Sequence, residues 1–242
     1  MAQVRQCLIL AAGNGSRLRA VSGALPKPLV PFQGRPILEH VLHSAQQAGV
    51  EEFVIVLGYR GDLIRSWFDS RWHGRAKLTW VENPDYHKSN GVSALKARDA
   101  IRGNFLLMMA DHVFDAETAR AMVRQPLRPG EVILAVDRNI GRVFDIDDAT
   151  KVRCYGNRIV EIGKELDEYD ALDTGMFLCT RRLFGDLEAA GQDGNCSLSD
   201  GMRRVAGRGS FRAFDIGKAW WHDLDTPEAL AHAQEEILLY AA

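Results

Sequence analysis

Cys7-Leu8-Ile9-Leu10-Ala11-Ala12 runs into Gly13-Asn14-Gly15-Ser16-Arg17-Leu18, and Leu25-Pro26-Lys27-Pro28-Leu29 follows. A short apolar run ended by glycines reads as a buried strand feeding a tight loop. Glycines there let backbone N–H groups approach an anion without a Cβ in the way. Arg17 offers a planar fork for phosphate, and Lys27 a point charge held between two stiffening prolines. The stretch therefore reads as a triphosphate-binding site. It is neither common glycine fingerprint: Leu18 stands where the dinucleotide motif needs its third glycine, and no lysine closes the loop as in a P-loop. An ordinary strand-to-loop turn with a surface arginine is the plainer alternative.

Working outward, strands alternate with amphipathic segments. The strand at Val4–Ala12 is followed by a helix near Pro36–Ala48, a strand at Phe53–Leu57 and a helix at Gly61–Trp72. A strand at Lys77–Glu82, a helix at Ser89–Ile101, a strand at Asn104–Ala110, a helix at Ala116–Arg124 and a strand at Val132–Val136 continue the pattern. This alternation predicts an α/β fold with a Rossmann-like, doubly wound, mostly parallel mixed sheet. In such sheets ligands bind beyond the carboxyl ends of the strands, where the Gly13 loop and Asp111 both fall. After Asp137 the texture changes: Lys151–Tyr155 and Arg158–Gly163 flank Gly156-Asn157 as a β-hairpin, read as an acceptor-binding insertion. Strands at Leu172–Cys179, Phe211–Asp215 and Ala219–Asp223 and a helix at Pro227–Leu239 complete the chain. With no linker or repeat, residues 1–242 are expected to form one domain, a nucleotide-binding part about 1–137 and an acceptor-binding part about 138–242.

Composition narrows the function classes. The 242 residues carry a net charge of −2 with interspersed signs, so no basic tail or stripe points to nucleic acid. Arg203-Arg204 and Arg208 read as the solvated end of a helix. The four cysteines, Cys7, Cys154, Cys179 and Cys196, are scattered and form no C-x-x-C pair. They read as free thiols suited to a reducing cytoplasm. The N-terminal apolar run is too short for a signal sequence, and no run has the length of a membrane span.

Chemistry at a bound triphosphate asks a protein mainly to hold anions together while charge builds between them. Lys27 and Arg17 suit that task. Asp111, just past a buried strand, suits Mg²⁺ bridging triphosphate oxygens, or alternatively caps the following helix. A second carboxylate is expected from Trp220-Trp221-His222-Asp223-Leu224-Asp225-Thr226-Pro227, with Asp223 and Asp225 on one face by strand alternation; Asp225 has a rival place at the start of the next helix. His112 beside one aspartate does not make a zinc site and reads as a structural or substrate-contact residue. Asn90-Gly91-Val92-Ser93 gives a small-residue helix start that a base or ribose can approach closely, or simple helix capping.

These pieces resemble the nucleotidyltransferase signature L-A-A-G-x-G-x-R-L…P-K-P-L, carried here by Leu10-Ala11-Ala12-Gly13-Asn14-Gly15-Ser16-Arg17-Leu18 and Pro26-Lys27-Pro28-Leu29. The C-terminal segment resembles the family's W-x-D-x-x-T-P pattern. The resemblance implies transfer of a nucleoside monophosphate from a triphosphate to a phosphorylated acceptor, with Mg²⁺ on Asp111 and Asp223, Asp225 or both. It implies nucleotide contacts at Leu10, Ala11, Ala12, Gly13, Asn14, Gly15, Asn90, Gly91 and Ser93. On the acceptor side, Glu161-Ile162-Gly163-Lys164 and Asp173-Thr174-Gly175 imply Lys164 on the acceptor phosphate, Asp173 and Thr174 on its hydroxyls, and His112 nearby. Ser22-Gly23, Gly91-Val92-Ser93, Asp111-His112-Val113, Asp148-Ala149-Thr150-Lys151-Val152, Ile162-Gly163-Lys164 and Asp173-Thr174-Gly175 look like the inositol-1-phosphate cytidylyltransferases. That implies CTP and inositol 1-phosphate as substrates. Some relatives fuse the domain to a membrane transferase; the absence of such a segment before Ala242 is read as a stand-alone enzyme.

Alternatives remain open at this level. Phosphocholine, an aminoalkylphosphonate or a sugar 1-phosphate would use the same scaffold, as would a nucleotide-binding regulatory subunit that has lost turnover. Both metal carboxylates being present argues for turnover. A homodimer is one option for the assembly, which the sequence does not decide.

Overall fold

A computed structural model describes residues 4–18 and 23–240; Ser22, one of the residues carrying the resemblance, lies outside them. The opening run forms strand β1 (Gln6–Ala11), buried along its whole length. Its alternate residues feed opposite cores. Cys7, Ile9 and Ala11 join one core, while Leu8 and Leu10 join the other. A strand buried on both faces must be covered by helices on both sides, and it is.

The main sheet has nine strands. After β1 come two-residue strands β2 (Pro31–Phe32) and β3 (Arg35–Pro36), which form their own ribbon. The main sheet continues with β4 (Glu52–Leu57), β5 (Lys77–Glu82) and β6 (Phe105–Met109). A short strand β7 (His112–Phe114) leaves that sheet, which resumes with β8 (Val132–Asp137), β9 (Lys151–Tyr155), β10 (Arg158–Gly163), β11 (Ala171–Cys179) and β12 (Phe211–Asp215); β13 (Trp221–Asp223) pairs with β7. The spatial order is β5-β4-β1-β6-β11-β8-β12-β10-β9.

Pairings from β5 through β6 are parallel, as is β8 with β12, whereas β11 enters antiparallel between β6 and β8. The mixed sheet expected from the sequence is present, with its parallel strands concentrated in the N-terminal half. The hairpin forms across the Gly156 turn (φ 63°), but it is an edge of this same sheet rather than an appended unit: β9 pairs β11, and β10 pairs β12. The reason is its alternation. Val152, Ile159 and Ile162 are buried in a sheet core, and a detached hairpin would leave them wet.

Helices α1 (Ile37–Gln47), α2 (Gly61–Arg71) and α4 (Ala116–Val123) cover one face. The other face is covered by α3 (Asn90–Lys96), α5 (Arg182–Ala190) and α6 (Leu198–Gly207). Stacked rings of Phe105 and Phe184, centroids 5.4 Å apart, fasten α5 to β6. Helix α5 is not expected from the sequence, and of α6 only an end with solvated arginines is. Arg203 and Arg204 are indeed exposed, while Arg208 pairs with Asp186 at 2.8 Å. Helix α3 stops at Lys96, short of the expected Ile101, because tight turns at Ala97–Ile101 close its end. The last helix, α7 (Pro227–Tyr240), belongs to a third, small core made with Leu18, Val113 and Leu224. The cysteines are unpaired, with Cys7, Cys179 and Cys196 buried. Among the described residues no helix is long and apolar enough to cross a membrane.

Strands β4 and β5 lie to one side of β1, and β6 to the other. The crossing from β5 to β6 makes a switch point at the carboxyl end of β1, where the glycine loop begins. Helix α3 packs against the start of α6 so closely that a Cβ on Gly91 would sit 2.7 Å from the Cys196 carbonyl oxygen. Because the obstacle is backbone, Gly91→Ala is expected to lower stability by about 1–3 kcal/mol despite alanine's better helix propensity. Urea unfolding checks this, and an unchanged midpoint would refute the packing argument.

Candidate active site

Two cavities adjoin at the carboxyl ends of β1 and β6. The narrower, about 250 Å³, is lined by Leu10, Ala11, Gly13–Arg17, Lys27 and Pro28. The larger, about 270 Å³, is lined by Asn90, His112, Asp148, Lys164, Asp173 and Asp223 among others. Arg17, Asp111 and Asp225 line both. The two cavities thus meet at three shared side chains, room enough for two ligands whose charged ends adjoin.

Lys27 is the centre. It opens a 3-10 turn, Lys27–Leu29, and is only 6% exposed. Gly15, with φ 54°, is what lets it in: a Cβ there would lie 2.6 Å from Lys27 Cβ. Gly13 has open space where a Cβ would stand, so a ligand can approach its backbone closely. The two glycines thus do different jobs. Lys27 Nζ donates to Asp111 Oδ2 at 2.7 Å and to Asp225 Oδ1, and stands 3.8 Å from Asp223 Oδ1. Burial disfavours the ammonium, but these carboxylates hold it above the ordinary lysine range.

Pairing of β7 with β13 sets Asp223 opposite His112. His112 Nδ1 lies 2.8 Å from Asp111 Oδ1, and Nε2 lies 3.8 Å from Asp223 Oδ2. The ring stacks on Trp221, centroids 5.8 Å apart. Burial disfavours its charge, yet Asp223 and Asp111 raise it to about 9. Burial also pushes Asp111 upward, but Lys27 and His112 overcome this and hold it well below the usual carboxylate range. For Asp223, burial pushes the carboxyl up to about 6, with Asp111 and Asp225 adding to the rise.

Among the described residues, two groups of three have ligand atoms within 4.8 Å of one another: Asp111, His112 and Asp223, and Asp148, Asp223 and Asp225. Asp223 Oδ1 is buried without a hydrogen-bond partner. An orphaned carboxylate oxygen amid other hard oxygen donors fits a divalent cation.

Asp173-Thr174-Gly175 forms a bulge. Pairing of β11 with β8 shifts register between Asp173 and Phe177, and Gly175 has φ 80°. Gly175 N donates to Asp173 Oδ1 at 2.7 Å, and Thr174 Oγ1 donates to the Ala135 carbonyl at 2.8 Å. A Cβ on Gly175 would lie 2.7 Å from His112 Cδ2, so this glycine seats the histidine. The bulge turns Asp173 into the larger cavity.

Most expected residues converge here; four do not. Thr174 is fully buried, with its hydroxyl spent on Ala135. Ser93 is buried against Asn83, whose Nδ2 donates to it at 2.9 Å. Gly91 is pressed on the 196–197 backbone, and Ala12 is buried with its carbonyl held by Tyr59 N at 3.0 Å. None of the four lines either cavity. Asn90 does line the larger one while its Oδ1 accepts from Leu198 N at 2.7 Å. Missed entirely is the part played by Asp148, whose carboxylate bridges Arg17 and Lys164. Its signal lay in the Asp148–Val152 piece, between the two cations in sequence but next to both in space.

Comparisons with known proteins show what the chain as a whole is similar to. The family model described as the MobA-like NTP transferase domain matches residues 7–209. A bifunctional IPC transferase and DIPP synthase from Rubrobacter xylanophilus is 37% identical over 240 residues, 97% of this chain and 52% of the relative. The protein of that description from Thermococcus kodakarensis is 34% identical, with 96% and 50% covered. The chain spans about half the length of these relatives. The solved inositol-1-phosphate CTP transferase of T. maritima superposes with a TM-score of 0.85 at 29% identity, covering 97% of this chain and 95% of that one.

Burial pushes the Asp173 carboxyl up to about 6. Its folded value lies above the unfolded one of about 4, so the protonated form favours the fold. Its contribution is full below pH about 4 and is lost as pH rises through about 6. Asp173→Asn is therefore expected to differ little from wild type at pH 3.5 and to melt a few degrees higher at pH 8. Paired melting curves check this; equal curves at pH 8 would refute the burial cost.

Proposed function

The chain belongs to the MobA-like NTP transferase family, and we propose that it transfers CMP from CTP to inositol 1-phosphate, giving CDP-inositol and pyrophosphate. The observation that carries the reading is the sharing of Arg17, Asp111 and Asp225 by two adjoining cavities. A transfer between two phosphates needs such a junction. The choice of CTP and inositol 1-phosphate is supported by the relatives named for that reaction and by the polar face of the larger cavity, where Asp173 and Lys164 suit a polyol phosphate.

The triphosphate takes the narrower cavity, against the Gly13 loop. Arg17 grips its phosphates, and Lys27 exchanges carboxylate partners for phosphate oxygens next to the α-phosphorus. Lys164 holds the acceptor phosphate, and Asp173 accepts hydrogen bonds from acceptor hydroxyls. An acceptor phosphate oxygen attacks the α-phosphorus in line; the new P–O bond forms as the bond to the β-phosphate oxygen breaks, and pyrophosphate leaves with that electron pair. Lys27 and Arg17 meet the charge that builds between the anions. Asp111 and Asp223 would hold Mg²⁺, which supplies charge neutralisation on the triphosphate oxygens. The unpaired thiols suit a cytoplasmic reaction.

Pyrophosphate release is measured with Mg²⁺ over the four ribonucleoside triphosphates and inositol 1-phosphate, phosphocholine, 2-aminoethylphosphonate and glucose 1-phosphate. Signal confined to CTP with inositol 1-phosphate is expected, and turnover of another pair instead would overturn the substrate assignment. Lys27→Met is expected to cut kcat at least 100-fold with the fold retained, and Asp111→Asn to abolish Mg²⁺-dependent turnover. Near-normal rates in folded variants would remove these residues from the mechanism.

A further inference from the structure

Asp148 has no part in the reaction as derived above. It sits between the 3-10 turn at Ile140–Arg142 and β9, on the wall of the larger cavity. Its two oxygens face cations from opposite halves of the site. Oδ2 accepts from Arg17 Nη1 at 2.6 Å, and Oδ1 accepts from Lys164 Nζ at 2.5 Å. The oxygens of one carboxylate are about 2 Å apart, so the two cations are held within roughly 7 Å of each other. Without an anion between them they would repel at that distance.

The two cations depend on Asp148 unequally. Arg17 has a second anchor in Asp225. Lys164, half exposed, has Asp148 as its carboxylate partner among the described residues. A free lysine side chain loses rotamer entropy when it is fixed on a ligand, and Asp148 fixes Lys164 before substrate arrives.

We propose that Asp148 is a positioning residue that sets Lys164, and secondarily Arg17, on one carboxylate so that the acceptor phosphate is received beside the triphosphate. The proposal rests on the functional reading above. It makes a prediction opposite to simple electrostatics: removing an anion from an anion-binding site should tighten binding, whereas losing a strut should weaken it.

The test uses Asp148→Asn, Lys164→Gln and the double variant, each checked for an unchanged melting temperature, with kcat and both KM values measured. Asp148→Asn is expected to raise the acceptor KM about tenfold while moving the nucleotide KM less than about twofold. It is expected to change little when Lys164 is already replaced, and Asp148→Glu is expected to recover part of the loss. A fall in the acceptor KM would make Asp148 a blocking group and overturn the proposal. Multiplicative effects in the double variant would also overturn it, since Asp148 would then act independently of Lys164. A shifted Mg²⁺ requirement in Asp148→Asn would assign the residue to the cation group with Asp223 and Asp225 instead. If wild type turns over a different substrate pair, the functional reading fails and the same cycle is run with that pair.

Discussion

A buried ammonium dictates the organisation of this protein. Lys27 is taken out of water, which costs several kcal/mol unless anions surround it. Asp111, Asp223 and Asp225 do so, and each comes from a different constraint: Asp111 from the end of a central strand, Asp223 from the β7–β13 ribbon, Asp225 from the lead-in to the last helix. Asp111 is more than a hundred residues from the Asp223–Asp225 segment, and Lys27 is remote from both. The fold can be seen as the device that brings three carboxylates to one cation while leaving the phosphate side open.

That cluster is also nearly balanced. Asp111, Asp148, Asp223 and Asp225 face Lys27, Arg17, Lys164 and a histidine whose proton is held by its neighbours. A binding site for polyanions that was simply positive would attract any phosphate. Here each cation already has a partner, so a ligand must offer better geometry than the carboxylate it displaces. Selectivity follows from exchange rather than from attraction.

Much of this was legible in the chain. The Cys7–Ala12 run, buried on both faces, required helices on both sides, and the glycines, Arg17, Lys27, Asp111, Asp223 and Asp225 do meet in space. What stayed hidden was decided by long-range pairing. Strand β7 is three residues long and exists because β13 lies beside it. The purpose of Gly175 and Gly15 cannot be read locally, since the side chains they admit, His112 and Lys27, are remote or come from another turn. Thr174 reads as an acceptor contact until the bulge turns its hydroxyl inward. Helix α6, by contrast, had a readable start in Ser197 and Asp200, which form a capping box.

The smallest of the three cores holds Leu18 from the glycine loop, Val113, Leu224 and Ala233 of the last helix. It is separate from the two large cores that clamp the sheet. A unit with so little buried surface opens at lower free energy than the sheet does. Leu18 seats the loop bearing Arg17 and Leu224 seats the segment bearing Asp223 and Asp225, so a change at Val113 or Ala233 in that core would reach both halves of the site at once.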